Sequence, residues 1–559
     1  MAGSVFVRGT ETSVTEANTT VLVRIDRTGS VSGDVTIVYG VDGATATAGE
    51  DYIGNGGTIV MADGVASVSV PIAILDDAIG EATEVVTLSL ITATGADLVA
   101  PRTHRISILD DENPLPPPPV EPPLVSPYSV TKSLLVDGLT APVRFAFSPL
   151  DPNLLYVAEK AGVVRLVDIR TGASDTVLDI RGQVNNAGDR GLQDVVLHPD
   201  FVNQPYVYVF YVVDPPGVAA NSGNAGADGR GNRFSRVVRY TADAANDYRT
   251  LIPGSEVVIL GGAGQDLADI SGGGAVDFSD PTTVAALASD RVAEPDDRVI
   301  GGIKQDFLKA DSLTHQGGRM LFGPDGKLYI LTGDGAAYNY VDPRTMDVQS
   351  LDSLSGKVLR VDPLTGQGLA DNPFAAQAED LDANRAKIYQ SGLRNPFASS
   401  FDEEGHLILA DVGWFSFEEI NIGGPGANFG WPFFEGGDGG IALRTPLFRN
   451  TAEAQAFYAQ VADGTITVTA PFRAFSHDSS APGFEVQAIV GGGVVSSHSV
   501  YPTQLHGNFV FADFVGGDVY AVNIADSTDS IFLYDWSDSF GPVFLLEGPA
   551  AHESPHFLL

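Results

Sequence analysis

The chain has 559 residues, more than one hydrophobic core ordinarily serves, so two or more domains are expected. A formal net charge of −39 repels nucleic-acid phosphates and anionic lipid and attracts divalent cations, which excludes nucleic-acid binding. With no cysteine, disulfides and thiolate metal sites are excluded, leaving hard cations on oxygen ligands or a metal held by the 9 histidines.

The 63 glycines and 34 prolines predict many turns between short strands, hence an all-β protein. No run of about 18 apolar residues is present, so no transmembrane segment is expected. The acidic surface fits an extracellular or periplasmic setting, but Met1-Ala2-Gly3-Ser4 shows no signal peptide, so the expectation is a trimmed leader or another export route.

Residues 1–112 alternate as a β-sandwich does, in Thr20–Ile25, Asp34–Tyr39, Ala66–Ile72, Val85–Leu90 and Arg105–Leu109. Carboxylates gather at the strand ends: Glu16, Asp51, Asp76, Asp77, Glu81, Glu84, Asp110 and Asp111. Oxygen ligands from several loops suit a Ca²⁺ of 6 to 8 ligands, and a solvated acidic rim is the other reading. With Ala48-Gly49-Glu50-Asp51-Tyr52, Gly57-Thr58 and the closing Asp110-Asp111-Glu112, the segment resembles a Calx-beta domain. The resemblance implies that those eight carboxylates match the family's calcium ligands.

Residues 113–127 are a proline-rich linker, because Pro114 to Pro123 cannot supply the amide donors of a sheet or helix. From 128 to 559 a turn followed by an apolar strand recurs at Asp151–Val157, Pro324–Ile330, Glu404–Leu409 and His506–Phe511. A second element recurs at Gly162–Asp168, Gly356–Asp362 and Gly517–Asn523 and is read as closing each sheet. Recurrent four-stranded units without intervening helices predict a β-propeller, six blades of about 70 residues each. The stretch 214–300 reads as a long insertion.

Within this propeller, His315-Gln316-Gly317-Gly318 opens a hairpin that turns at Pro324-Asp325-Gly326 and closes at Gly333-Asp334. His315 and Asp334 therefore stand at the outer ends of one hairpin, where a carboxylate could orient a histidine acting as a base. A turn histidine and a turn aspartate without chemistry is the alternative.

Further motifs lie in order along 130–525: Gly188-Asp189-Arg190-Gly191-Leu192, Leu197-His198-Pro199-Asp200-Phe201, Ser355-Gly356-Lys357-Val358-Leu359-Arg360, Gly392-Leu393-Arg394-Asn395-Pro396, Glu418-Glu419-Ile420-Asn421 and Asn428-Phe429-Gly430-Trp431-Pro432. Together with the His315 stretch they resemble the glucose/sorbosone dehydrogenase family, in particular its soluble pyrroloquinoline-quinone (PQQ)-dependent sugar dehydrogenases. The resemblance implies His315 as general base, Asp334 as its supporting carboxylate, and Asp189, Arg394 and Asn395 at positions that contact PQQ. Gly413 and Trp414 match main-chain carbonyls that hold a catalytic Ca²⁺.

This sequence departs from the best-known members. Val515 stands where they carry a lysine, Asp189 and Val412 where they carry glutamines, and Asp535–Gly541 has no counterpart of their arginine pair. Each lost charge-assisted bond removes roughly 1.5–3 kcal/mol. Two functions follow. One is PQQ- and calcium-dependent oxidation of the C1 hydroxyl of an aldose or oligosaccharide to a lactone, with an external electron acceptor. The other is a non-catalytic, calcium-stabilised propeller that binds glycan or protein at a cell surface, as noncatalytic members such as the hedgehog-interacting type do. Hydrolysis of the lactonase type shares the architecture, but its motifs are absent.

Overall fold

The computed structural model describes residues 3–9, 11–15, 20–49, 51–54, 56–75, 84–109, 132–214, 233–262, 299–300, 303–306, 308–310, 312–336, 342–414, 416–438, 441–445, 448–449, 451–477, 486–499, 501–527, 530–535 and 544–546. The chain divides into two compact units, residues 1–121 and 122–559, and the division falls inside the proline-rich stretch expected as a linker. That linker lies outside the described residues. Among the described residues no helix is long and apolar enough to cross a membrane.

The first unit is a sandwich of two five-stranded sheets. One contains Gly3–Val7, Val21–Thr28, Tyr52–Ile53, Ser67–Ile74 and Ala96–Leu98; the other contains Glu11–Thr15, Val35–Gly43, Gly57–Met61, Glu84–Thr94 and Thr103–Leu109. Inward side chains such as Val23, Ile25, Ile37, Val70, Leu88 and Ile106 are fully or almost fully buried in one core. The period-2 alternation read from the sequence is this inward-outward pattern.

The second unit contains five antiparallel blade sheets, four of them four-stranded and the second five-stranded, with Leu308–Lys309 added beside Phe234–Thr241. In order they are Pro142–Ser148, Asp151–Glu159, Val163–Asp168 and Ala173–Asp179; Leu192–Leu197, Tyr206–Val212, Phe234–Thr241 and Val257–Leu260; Gly317–Phe322, Leu328–Thr332, Lys357–Val361 and Ile388–Ser391; Pro396–Phe401, Leu407–Asp411, Phe417–Ile422 and Arg473–Ser476; and Ile489–Val494, Asn508–Asp513, Asp518–Asn523 and Ser530–Asp535. First strands of successive sheets pack against one another, the arrangement of propeller blades around an axis. Six blades are expected; five are complete among the described residues. Among the described residues three two-stranded ladders lie outside these sheets, and one of them pairs Lys132–Leu134 with Phe544–Leu546 and so joins the two ends of the unit.

Two expectations change. The recurrent pairs read from the sequence are the second and third strands of the blades, and a fourth strand closes each sheet. The stretch 214–300 is not one insertion, since Phe234–Thr241 and Val257–Leu260 are the outer strands of the second blade. Residues 215–232 and 263–298 lie outside the described residues.

One irregularity repeats. Each first strand is bulged near its start, between Pro142 and Arg144, Leu192 and Asp194, Gly317 and Arg319, Pro396 and Ala398, and Val490 and Gly493. A bulge bends its strand and re-aims side chains. Here all five lie beside the end of the blade that carries the candidate site.

Candidate active site

The residues singled out in the propeller occupy one end of the blades, where first strands begin and second strands end. Asp189 precedes Leu192–Leu197, His315 precedes Gly317–Phe322, and Arg394 and Asn395 precede Pro396–Phe401. Asp334 follows Leu328–Thr332, and Gly413 and Trp414 follow Leu407–Asp411. The hairpin expected from the sequence forms, with Gly317 paired to Thr332. Its mouth depends on Gly333, because a Cβ there would lie 2.0 Å from the His315 carbonyl oxygen.

His315 is nearly buried and has a φ of +58°, a left-handed conformation that costs a non-glycine residue about 1–2 kcal/mol. Its N–H donates to Asp189 Oδ2 at 3.2 Å, and its carbonyl accepts from Gly335 N–H at 3.1 Å. The ring lies between two partners. Arg394 Nη2 is 2.8 Å from Nε2, and Asp334 Oδ1 is 2.9 Å from Nδ1. A guanidinium nitrogen can only donate, so Nε2 is the acceptor and Nδ1 carries the proton, which it donates to Asp334.

Asp334 is fully buried and takes two more donors, Ala336 N–H at 2.8 Å on Oδ1 and Trp431 Nε1–H at 2.9 Å on Oδ2. Burial opposes its ionisation, but the contact with His315, the Arg394 charge and the Ala336 N–H outweigh it and hold the carboxyl below its ordinary range. The Arg394 guanidinium also stands 5.5 Å from the Trp431 ring centre, within cation–π range. Asp411 anchors the start of the fourth blade by accepting Arg394 N–H at 2.8 Å and Asn395 N–H at 2.6 Å. Asn395 Oδ1 in turn accepts Gly317 N–H at 3.0 Å, tying the third blade to the fourth.

Arg394 Nη1 meets two successive main-chain carbonyls, Val412 O at 2.9 Å and Gly413 O. Behind this turn lie buried carboxylates. Glu418 Oε1 accepts from Gly413 N–H at 3.1 Å and Glu435 Oε1 from Trp414 N–H at 2.6 Å, and His477 Nε2 sits 2.8 Å from Glu418. Burial raises Asp411 and Glu418 and pushes Glu419 up to about 7.

The donor set fits a hard cation. Two neutral carbonyl oxygens already converge on one positively charged nitrogen, and main-chain oxygens are ordinary calcium ligands. It also fits the carbonyl end of an ortho-quinone, because Arg394 Nε is buried without a hydrogen-bond partner beside His315. The far end differs. Phe514 and Val515 follow the second strand of the fifth blade on this same end and are 65% and 53% exposed, with no charge to offer a carboxylate.

The structure thus brings together His315, Asp334, Arg394, Asn395, Gly413 and the exposed Asp189. Trp414 lies beside them through its N–H on Glu435, with its ring packed edge-on against Trp431 at 6.0 Å. Trp431, Asp411, Glu418, Glu435 and His477 were not assigned roles from the sequence. Trp431 and Glu418 do sit in motifs that mark the family; the others carry no local signal. In the sandwich, Asp51 and Glu84 are described. Asp51 is buried, its Oδ2 accepts Thr47 N–H, and its carbonyl accepts Leu75 N–H at 2.8 Å. Glu84 faces Ile108 across the second sheet. Glu16, Asp76, Asp77, Glu81, Asp110 and Asp111 lie outside the described residues.

Two family models match the chain. The Calx-beta domain family model matches residues 1–112, and the glucose/sorbosone dehydrogenase family model matches residues 139–251 and 284–507. The HIPL1 protein of Arabidopsis thaliana is 29% identical over 229 residues, covering 37% of this chain and 30% of the relative. Quinoprotein glucose dehydrogenase B of Acinetobacter calcoaceticus is 26% identical over 315 residues, covering 54% of this chain and 52% of the relative. The chain therefore spans between about a third and a half of the length of these curated relatives. A solved PQQ-bound aldose sugar dehydrogenase from Streptomyces coelicolor aligns with 78% of this chain and 99% of its own, at 19% identity and a TM-score of 0.45. With its propeller matched over most of its length, the chain belongs to the glucose/sorbosone dehydrogenase family, and a Calx-beta domain precedes the propeller.

Proposed function

We propose that the propeller oxidises the C1 hydroxyl of an aldose or oligosaccharide to a lactone, with His315 as the base and with calcium and PQQ as bound groups. The observation that carries this reading is the His315 tautomer, fixed by Asp334 on Nδ1 and leaving the Nε2 lone pair turned into the site.

In the resting site Arg394 Nη2 donates to that lone pair. A substrate hydroxyl takes its place and gives its proton to Nε2, a general-base contribution of about 10²–10⁴-fold. The imidazolium keeps its Nδ1–H on Asp334, and Ala336 N–H and Trp431 Nε1–H hold that carboxylate against rotation. Arg394, freed from the imidazole, can donate to an oxygen that gains negative charge. The Val412 and Gly413 carbonyls would hold calcium, and Arg394 and Asn395 the quinone's carbonyl edge. A quinone held there would supply the two-electron oxidant that reaction at C1 requires. Phe514 and Val515 themselves offer its carboxylates no charge, so the residues named above would hold it by its carbonyl edge.

That apolar rim is also the observation favouring the second reading, a propeller that binds glycan or protein without turnover. Dye-coupled assays separate the two. The chain alone should reduce no dye with aldose, PQQ and calcium together should start turnover, and His315→Ala should lower it about 10²–10⁴-fold. Glycan binding without turnover after full loading would favour the second.

A further inference from the structure

The turn Val412-Gly413-Trp414 is held from both sides. Gly413 N–H donates to Glu418 Oε1 at 3.1 Å and Trp414 N–H to Glu435 Oε1 at 2.6 Å. Both peptides are trans, so each carbonyl points opposite to its N–H. The N–H of Gly413 shares a peptide with the Val412 carbonyl, and that of Trp414 with the Gly413 carbonyl. Fixing the two N–H groups on carboxylates therefore turns the two carbonyls the other way, where both accept from Arg394 Nη1.

We propose that Glu418 and Glu435 are positioning residues for a cation site whose protein ligands include the Val412 and Gly413 carbonyls. Each carboxylate does two things. It fixes the rotation of a peptide plane, and through that peptide's dipole it makes the carbonyl oxygen more negative. Both are firmly seated. Glu418 Oε2 accepts Ile489 N–H at 2.9 Å, and His477 Nε2 lies 2.8 Å from its Oε1. Glu435 Oε1 also receives Ser416 N–H at 3.3 Å and Phe417 N–H at 3.5 Å. They sit on different elements, Phe417–Ile422 and Phe434–Asp438, so the turn is clamped between two strands. The layering runs from anion, through two aligned peptides, to cation. It places the carbonyl pair at Val412 and Gly413, one residue earlier than the pair implied by resemblance. Naming the cation as calcium rests on the dehydrogenase reading; the orientation of the carbonyls does not.

The chain has 3 tryptophans, Trp414, Trp431 and Trp536, all in the propeller unit, so tryptophan-sensitised terbium emission from the full chain is excited from the propeller. The wild type should give a saturable signal that calcium displaces. Glu418→Gln and Glu435→Gln, which keep shape and remove charge, should each weaken terbium and calcium binding about 10–100-fold, while the exposed-site control Glu453→Gln changes nothing. Wild-type affinity in both carboxylate variants at unchanged melting temperature would overturn the proposal. If the wild type itself gave no calcium-displaceable emission, the calcium assignment would fall. A crystal structure of the double variant would then decide the positioning role: carbonyls swung away from Arg394 sustain it, and carbonyls still on Arg394 refute it.

Discussion

The histidine at the hairpin mouth works only because a carboxylate and a guanidinium hold its two nitrogens in opposite roles. Asp334→Asn should therefore cost turnover about 10³–10⁴-fold with little loss of fold, since an amide in that place lets the ring take the other tautomer. Trp431→Phe removes one donor from Asp334 and should cost about tenfold, a hydrogen bond to a charged group being worth roughly 1.5 kcal/mol. Lys357 supplies a test in stability. It is fully buried, with its ammonium on the Val348 and Ser355 carbonyls at 2.5 and 2.7 Å, and burial lowers it to about 7. Between pH about 7 and its unfolded value the unfolded chain holds the extra proton, so stability rises with pH across that window, by at most about 1.4 kcal/mol per unit. Lys357→Met should remove that slope in denaturant titrations. His315, Asp334 and Arg394 could be found in the sequence because each sits in a motif at a strand end. Glu435 and His477 could not, because their roles arise from contacts between segments far apart in the chain.

Strands explain how much of each blade was legible. Second and third strands such as Leu328–Thr332 and Lys357–Val361 are buried runs rich in Val, Leu and Ile behind a clear turn, and they stand out in the sequence. Outer strands do not. Ala173–Asp179 is almost wholly exposed and polar, and one third strand is hidden as well, Phe234–Thr241, which lies between glycine-rich and alanine-rich stretches that obscure its pattern. The bulges were invisible because an extra residue in a strand carries no compositional mark. Gly356 shows how tightly the elements meet: its φ is +63°, and a Cβ would lie 2.4 Å from Leu393 O and 2.7 Å from Val348 methyl carbons. It stands between the strand ends next to Asp334 and Arg394, since Gly356 N–H donates to Gly333 O and Leu393 N–H to Gly356 O. Gly356→Ala should destabilise the propeller by about 2 kcal/mol or more, measured as a lower denaturant midpoint, and should disturb turnover as well.

Across the whole molecule, sandwich and propeller each carry a separate core, and every residue of the candidate active site belongs to the propeller. A chain beginning at Pro122 should therefore fold and keep quinone-dependent turnover within about twofold of the full chain. Loss of more than that would assign the sandwich a part in the reaction. If His315 takes a proton from a sugar hydroxyl as a bound quinone is reduced, a single turnover reveals it. The full chain is loaded with PQQ and calcium, an aldose is mixed in, and quinone absorbance is followed. The bound quinone should be reduced in the wild type, whereas in His315→Ala it should bind but stay oxidised. Reduction at the wild-type rate in His315→Ala, or bound quinone that no aldose reduces in the wild type, would contradict this role of His315.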